Sequence, residues 1–203
     1  MADPSGLAGP FWRVFPWDPA APDGAPYSAR FVPPFGSQTG GRFDLGDVPV
    51  LYLSEHPEHA LAEMLARFRG KPIQPGYLRR HDTRRPGTYH PLALVEAYLP
   101  AELDNGLPDL GDPNTLSRLG IRPDALASHE RRITQAISRE LHGEGLAGFR
   151  WWSALGGDWH VTVLYLDRVD TRRIAYRAPD ALSPDHPVVA AAARLLQMPV
   201  RGA

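Results

Sequence analysis

The chain has 203 residues, 43% of them hydrophobic and 22% charged, with a formal net charge of −1. This balance is that of a globular protein long enough to bury a core, and it offers no basic field to attract nucleic acid or an anionic membrane. Cysteine is absent, which excludes disulfides and thiolate chemistry and suits a reducing cytosol.

Residues 1–10 read as a flexible N-terminus. MADPSGLAGPFW carries an acid and prolines where a signal peptide needs basic and then apolar residues, and no apolar run reaches the about 18 residues of a membrane helix, so a cytoplasmic protein is expected. FWRVFPW (11–17) predicts a short strand cut off by Pro16. Residues 18–39 are rich in Pro, Gly, Ser and Asp and read as a long loop, a feature that is often functional. GGRF (40–43) leads into VPVLYL (48–53), a buried strand. Ser54 as a cap and Pro57 in the first turn predict a helix over 57–69, stopped by Gly70, with Leu61, Met64, Leu65 and Phe68 as its apolar stripe. Residues 70–91 form a basic, turn-rich excursion, LALVEAYL (92–99) a second strand, and 100–128 loop with short helical pieces. A helix is predicted over 129–145, with Ile133, Ala136, Ile137 and Leu141 inside and Gly143 or Gly145 at its end. GFRWWS (148–153) and WHVTVLYL (159–166) read as strands. The segment 183–197 reads as a last helix capped by Ser183, with Pro184 in its first turn. Strands and helices mix without strict alternation, which makes the class α+β.

Four residues invite a chemical reading, and each has an ordinary one beside it. Arg42 follows two glycines that permit close backbone approach, and a guanidinium grips phosphate with two donors; equally, it is a surface arginine after a turn. Phe43 is the aromatic beside it. Glu63 lies opposite Leu61 and Phe68 on the helical wheel, near His59, Ala62, Ala66 and Arg67. The small alanines leave room for a ligand, but an exposed Glu63–Arg67 pair explains the pattern as well. Tyr52 faces away from Leu51 and Leu53, either to stack on a planar base or to fill a core. Ser153 ends a strand after two tryptophans, yet lies outside the G-x-S-x-G pattern of a hydrolase elbow. His56 and His59 are three apart, but no carboxylate pattern completes a metal site, so no metal is expected. Taken singly, these residues favour the ordinary readings.

Taken together, they resemble a known family. W-R-V on a first strand, then G-G-R-F, V-L-Y-L-S and A-L-A-E, look like the first half of the RES domain, and TQAISRELHGEGLAGFRWWS (134–153) is similar to its second half. The family is named for an Arg, a Glu and a Ser, which fall here on Arg42, Glu63 and Ser153. The resemblance spans roughly residues 11–168. The implied organisation is a single domain over 11–175 followed by a C-terminal extension, 176–203, with one helix packed on the domain. The chain departs from the family in having Phe43-Asp44 where an aromatic and an Asn are usual, and in expanded 18–39, 70–91 and C-terminal segments.

The resemblance implies an ADP-ribosyltransferase-like mixed sheet around an NAD+ cleft. It implies a toxin that cleaves the nicotinamide–ribose bond by hydrolysis or phosphorolysis, NAD+ being the substrate. Glu63 would stabilise the cationic ribose, Arg42 the diphosphate, Tyr52 the nicotinamide ring, and Ser153 the amide or a phosphate. Arg13 and Phe43 would add substrate contacts. An Xre-type antitoxin blocking the active site, and possible homodimers, are the implied partners. The alternatives are a mono-ADP-ribosyltransferase acting on a protein, and a catalytically inactive interaction module.

Overall fold

Among the described residues there are eight strands and six helices in an α+β arrangement; β-branched and aromatic runs make the longer strands, and apolar stripes at helical spacing make the longer helices. The computed structural model describes residues 6–34, 38, 40–82, 84–153 and 155–199. In chain order these are β1 (Leu7–Pro16), β2 (Val50–Ser54), α1 (Pro57–Leu65), β3 (Arg79–His81), β4 (Tyr89–Pro100), α2 (Ala101–Gly106), α3 (Pro113–Arg118), α4 (Pro123–Leu126), α5 (Arg131–Gly143), β5 (Gly148–Ser153), β6 (Gly156–Tyr165), β7 (Ala175–Tyr176), β8 (Asp180–Ala181) and α6 (Pro187–Leu195). Two units are each assembled from three chain segments. The first takes Met1–Gly9, Val32–Leu53 and Tyr98–Ala175; the second takes Pro10–Phe31, Ser54–Ala97 and Tyr176–Ala203.

In the first unit, β5 and β6 form an antiparallel hairpin, with Phe149 opposite Val163 and Trp151 opposite Val161. β2 lies on the other side of β6. The register slips between Trp152 and Ser153, as a bulge does when a strand ends near a turn. At the other end of β5 Gly148 is required: a Cβ would stand 2.1 Å from the carbonyl oxygen of Val163. The core joins Phe43, Val50, Leu126, Ile137, Phe149, Trp151 and Tyr165. The Tyr165 hydroxyl is sunk in this core and donates to the Ser138 carbonyl at 2.8 Å.

In the second unit, β4 lies beside β1 on one edge. On the other edge β3 pairs at Arg80 opposite His90, and β8 pairs further along at Ala93 opposite Ala181. Trp12 of β1 also pairs with Ser54. Phe15, Ala93 and Val95 form an apolar cluster against which Trp17, Ala29 and Tyr176 pack. α1 packs against α6, so the C-terminal helix is an integral part of this unit.

Several sequence expectations need correction. β1 starts at Leu7, so residues 7–10 are strand and not a loose end; residues 1–5 lie outside the described ones. α1 ends at Leu65 and tightens into a 3₁₀ turn at Ala66–Phe68 before Gly70, whose φ is 74°. Ser54 caps nothing, because it is the last residue of a paired strand, and the cap position is His56. α6 begins at Pro187, not Pro184. His186 caps it by accepting the Val188 N–H on Nδ1, so Ser183 is not the cap.

Candidate functional site

The loop bearing Arg42 is built from the inside. Asp44 is 5% exposed and accepts the Gly41 N–H at 2.6 Å and the Tyr52 hydroxyl at 2.8 Å. The Tyr52 oxygen in turn accepts the Phe43 N–H at 3.1 Å. These bonds curl 41–44 over the tyrosine, and Gly41 is glycine because of them. A Cβ there would lie 2.4 Å from Asp44 Oδ1 and 2.5 Å from the Tyr52 hydroxyl. The glycine thus serves the packing of its own loop, where the sequence suggests approach to a ligand. Gly40 has open space beside it.

Helix α5 clamps the same loop from outside. Thr134 Oγ1 donates to the Arg42 carbonyl at 2.5 Å, Gln135 Nε2 to the Gly41 carbonyl at 3.0 Å and Ser138 Oγ to the Phe43 carbonyl at 2.8 Å. Three successive carbonyls are met by positions i, i+1 and i+4 of one helix. Thr134 and Ser138 are fully buried, so each bond satisfies groups that water cannot reach. The TQ…S pattern of 134–138 is visible in the sequence, but its partners are 92 to 95 residues away. No local signal assigns it this role.

Held in this way, Arg42 is half-buried. Its guanidinium lies 4.6 Å from the centre of the Trp151 ring and donates through Nη2 to the Leu126 carbonyl at 2.8 Å. Stacking on an aromatic face suits a planar, weakly hydrated cation and fixes where its remaining donors aim. Trp151 is the preceding tryptophan of the RWWS run, so one strand supplies both the arginine's platform and, two residues on, Ser153. Ser153 is 3% exposed, and its Oγ accepts the Leu155 N–H at 2.9 Å, which shapes the turn into β6. It lines a cavity of about 360 Å³ together with Trp152, Ala127, His129, Leu155 and the glycines of 156–157. A side chain at Gly156 would collide with the Trp159 indole, 2.7 Å away.

Electrostatically, Tyr52 is a donor and not a base. Burial, and then the Asp44 carboxylate beside it, push its pKa well above the usual tyrosine value. The phenol therefore stays protonated and keeps its bond to Asp44.

The sequence candidates distribute as follows. Arg42, Tyr52 and Ser153 belong to the first unit, joined by the loop, the Trp151 platform and strand β5. Phe43 does too, but as core. It is fully buried, edge-on to Phe149 at 4.9 Å and to Trp151 at 5.0 Å, so it supports the platform and is not open to substrate. Arg13 and Glu63 belong to the second unit. Arg13 donates to the carbonyls of Ala29 and Phe31, both at 2.6 Å, and so ties down the 18–39 loop instead of presenting an open anion contact. Glu63 is exposed on α1, while Ala62 beside it is fully buried and His59 nearly so; the solvated face expected around it is mostly covered. Arg67 lies over the Phe68 ring at 4.7 Å. Asp44, Trp151, Thr134, Gln135 and Ser138 are the site residues that sequence reasoning passed over. Among the described residues no group of three or more His, Cys, Asp or Glu side chains is placed to hold a metal ion, and no helix is long and apolar enough to cross a membrane.

The fold and site define an α+β protein in which a conformationally locked arginine stacks on a strand tryptophan next to a serine-lined cavity. The RES domain family model matches residues 10–186, and the chain belongs to that family. Its fold is similar to that of a chain in the crystal structure of the M. tuberculosis MbcT–MbcA toxin–antitoxin complex. That likeness has a TM-score of 0.54 and 17% identity, covering 94% of this chain and 90% of the other. A comparison with curated proteins finds no match.

Proposed function

We propose that the chain is an NAD+-consuming enzyme that cleaves the nicotinamide–ribose bond, and that it is the toxin of a toxin–antitoxin pair. The observation that carries the reading is the RES domain over residues 10–186 together with the locked Arg42–Trp151–Ser153 arrangement. The similar chain from a toxin–antitoxin complex supports the pairing half of the proposal.

Nicotinamide departs as a neutral group, so the barrier lies in the positive charge that develops on the ribose. A nearby carboxylate lowers that barrier by electrostatic stabilisation, the logic of glycoside cleavage. Glu63 takes this role. Arg42 takes the diphosphate, for which a pre-oriented guanidinium gives bidentate contact. Tyr52 contributes its ring, since its hydroxyl is held by Asp44. Ser153 orients the nicotinamide amide or a phosphate oxygen. Water or phosphate accepts the ADP-ribose, and an Xre-type antitoxin covers the site in the restrained state.

The test is NAD+ consumption by the purified protein, with and without phosphate, beside Glu63→Gln. Loss of NAD+ that vanishes in the variant supports cleavage, and dependence on phosphate names the acceptor. Labelled ADP-ribose found on protein, and not free in solution, would move the activity to mono-ADP-ribosylation. No turnover and no NAD+ binding in either buffer overturns the proposal.

A further inference from the structure

The second unit contains a cavity of about 340 Å³ between the 17–30 stretch and the 176–179 segment. Its walls are built with unusual care. Arg13 fixes the loop through two carbonyls and also hydrogen-bonds the Tyr176 hydroxyl. Arg30 Nε pairs with Asp23 at 3.0 Å, and its guanidinium lies over the Tyr176 ring at 5.2 Å. Tyr27 has a φ of 72°, in the left-handed region that a bulky residue rarely enters. It is kept there by a 2.8 Å hydrogen bond from its hydroxyl to Asp82 and by stacking on His90 at 3.9 Å. Strain of this kind persists where the surroundings over-determine it, and it clusters at ligand sites.

The strained residue places the next one. Ser28 lines the cavity at 6% exposure, and among the described residues its Oγ has no hydrogen-bond partner. A buried hydroxyl left in that state costs folding free energy unless something completes it. Around it stand two aromatic rings, Trp17 and Tyr176, and two cations, Arg30 and Arg177.

We infer that this cavity binds a small ligand joining a planar ring to a single anionic group. The rings of Trp17 and Tyr176 receive the planar part, and Arg177, Arg30 and the Ser28 hydroxyl receive the anion. Asp18 and Asp23 also line the wall. Asp23 is paired with Arg30, and Asp18 accepts the Ala20 N–H at 2.9 Å; two carboxylates nonetheless disfavour a polyphosphate and limit the ligand to one anionic group. The volume is at the small end of ligand cavities, the size of a mononucleotide or less. Glu63, Arg42, Tyr52 and Ser153, to which NAD+ cleavage is assigned, do not line this cavity, so the two proposals fail independently.

The experiment is calorimetry and thermal denaturation of the full chain with three probes: AMP, benzoate and inorganic phosphate. Saturable binding of AMP or benzoate, with a raised Tm and a weaker response to phosphate alone, is the expected result. AMP alone points to a nucleoside monophosphate, and benzoate alone to an aromatic carboxylate. Arg177→Glu, at an exposed position, weakens binding about tenfold or more. Ser28→Ala weakens it about threefold while leaving the unliganded Tm equal or higher, because it deletes an unsatisfied hydroxyl. No binding by either ring-bearing probe, equal binding by phosphate alone, or affinity unchanged in both variants overturns the inference.

Discussion

At the scale of single residues, the arrangement turns on Tyr52 and Asp44. Removing the phenol oxygen leaves a buried carboxylate short of one donor and the Phe43 N–H short of its acceptor. Tyr52→Phe therefore destabilises the protein by about 1–3 kcal/mol, read as a lower urea midpoint with an unchanged slope. Arg42 and Tyr52 stand out in the sequence as candidates, but only as candidates. Asp44 reads there as a departure from a family pattern, because a carboxylate's partners cannot be seen along the chain. In the folded protein it is the acceptor that closes the loop. Phe43 errs in the other direction: the resemblance implies a substrate contact, whereas the ring is buried against Trp151, the arginine's platform, more than a hundred residues further on.

Elements explain why the loop is stiff. α5 offers Thr134, Gln135 and Ser138 to three consecutive carbonyls, so the helix acts as a template for 41–43. Ser138→Ala leaves the buried Phe43 carbonyl without this donor, with an expected loss of about 1–3 kcal/mol by chemical denaturation. If Arg42 holds the substrate, turnover falls in the same variant under conditions where circular dichroism shows it fully folded. The hairpin gives a second test. Gly148→Ala forces a Cβ against the Val163 carbonyl and costs about 1–3 kcal/mol, visible as a lower Tm. Strand β5 and the body of α5 were legible because period and end signals agree there. The helix ends were not. Ser54 is claimed by strand pairing, and His186 does the capping that Ser183 seemed placed for, so tertiary demands override the local cue.

On the scale of the molecule, stability should decline at both ends of the pH range. His90, the Arg84 N–H and the Tyr27 hydroxyl hold the Asp82 carboxyl well below the usual range, although its burial opposes them. Below about pH 4 the unfolded chain takes up this proton before the folded one does, so the contribution is lost as pH falls. Tyr165 is pushed up to about 12 by burial. Above about pH 10 the unfolded chain releases that proton first, and stability is lost as pH rises. A Tm profile across pH checks both limbs, and Asp82→Asn flattens the acid limb alone. Each unit is assembled from separated chain segments, which matters for biosynthesis. Arg42 emerges from synthesis 92 residues before Thr134, the residue that grips its carbonyl. At about 5–20 residues per second, the arginine loop waits on the order of 5–20 s for its template, and longer for Ser153. A nascent or truncated chain that stops short of α5 carries the arginine but not the clamp, so the ordered loop arrives late in translation, after most of the polypeptide has been made.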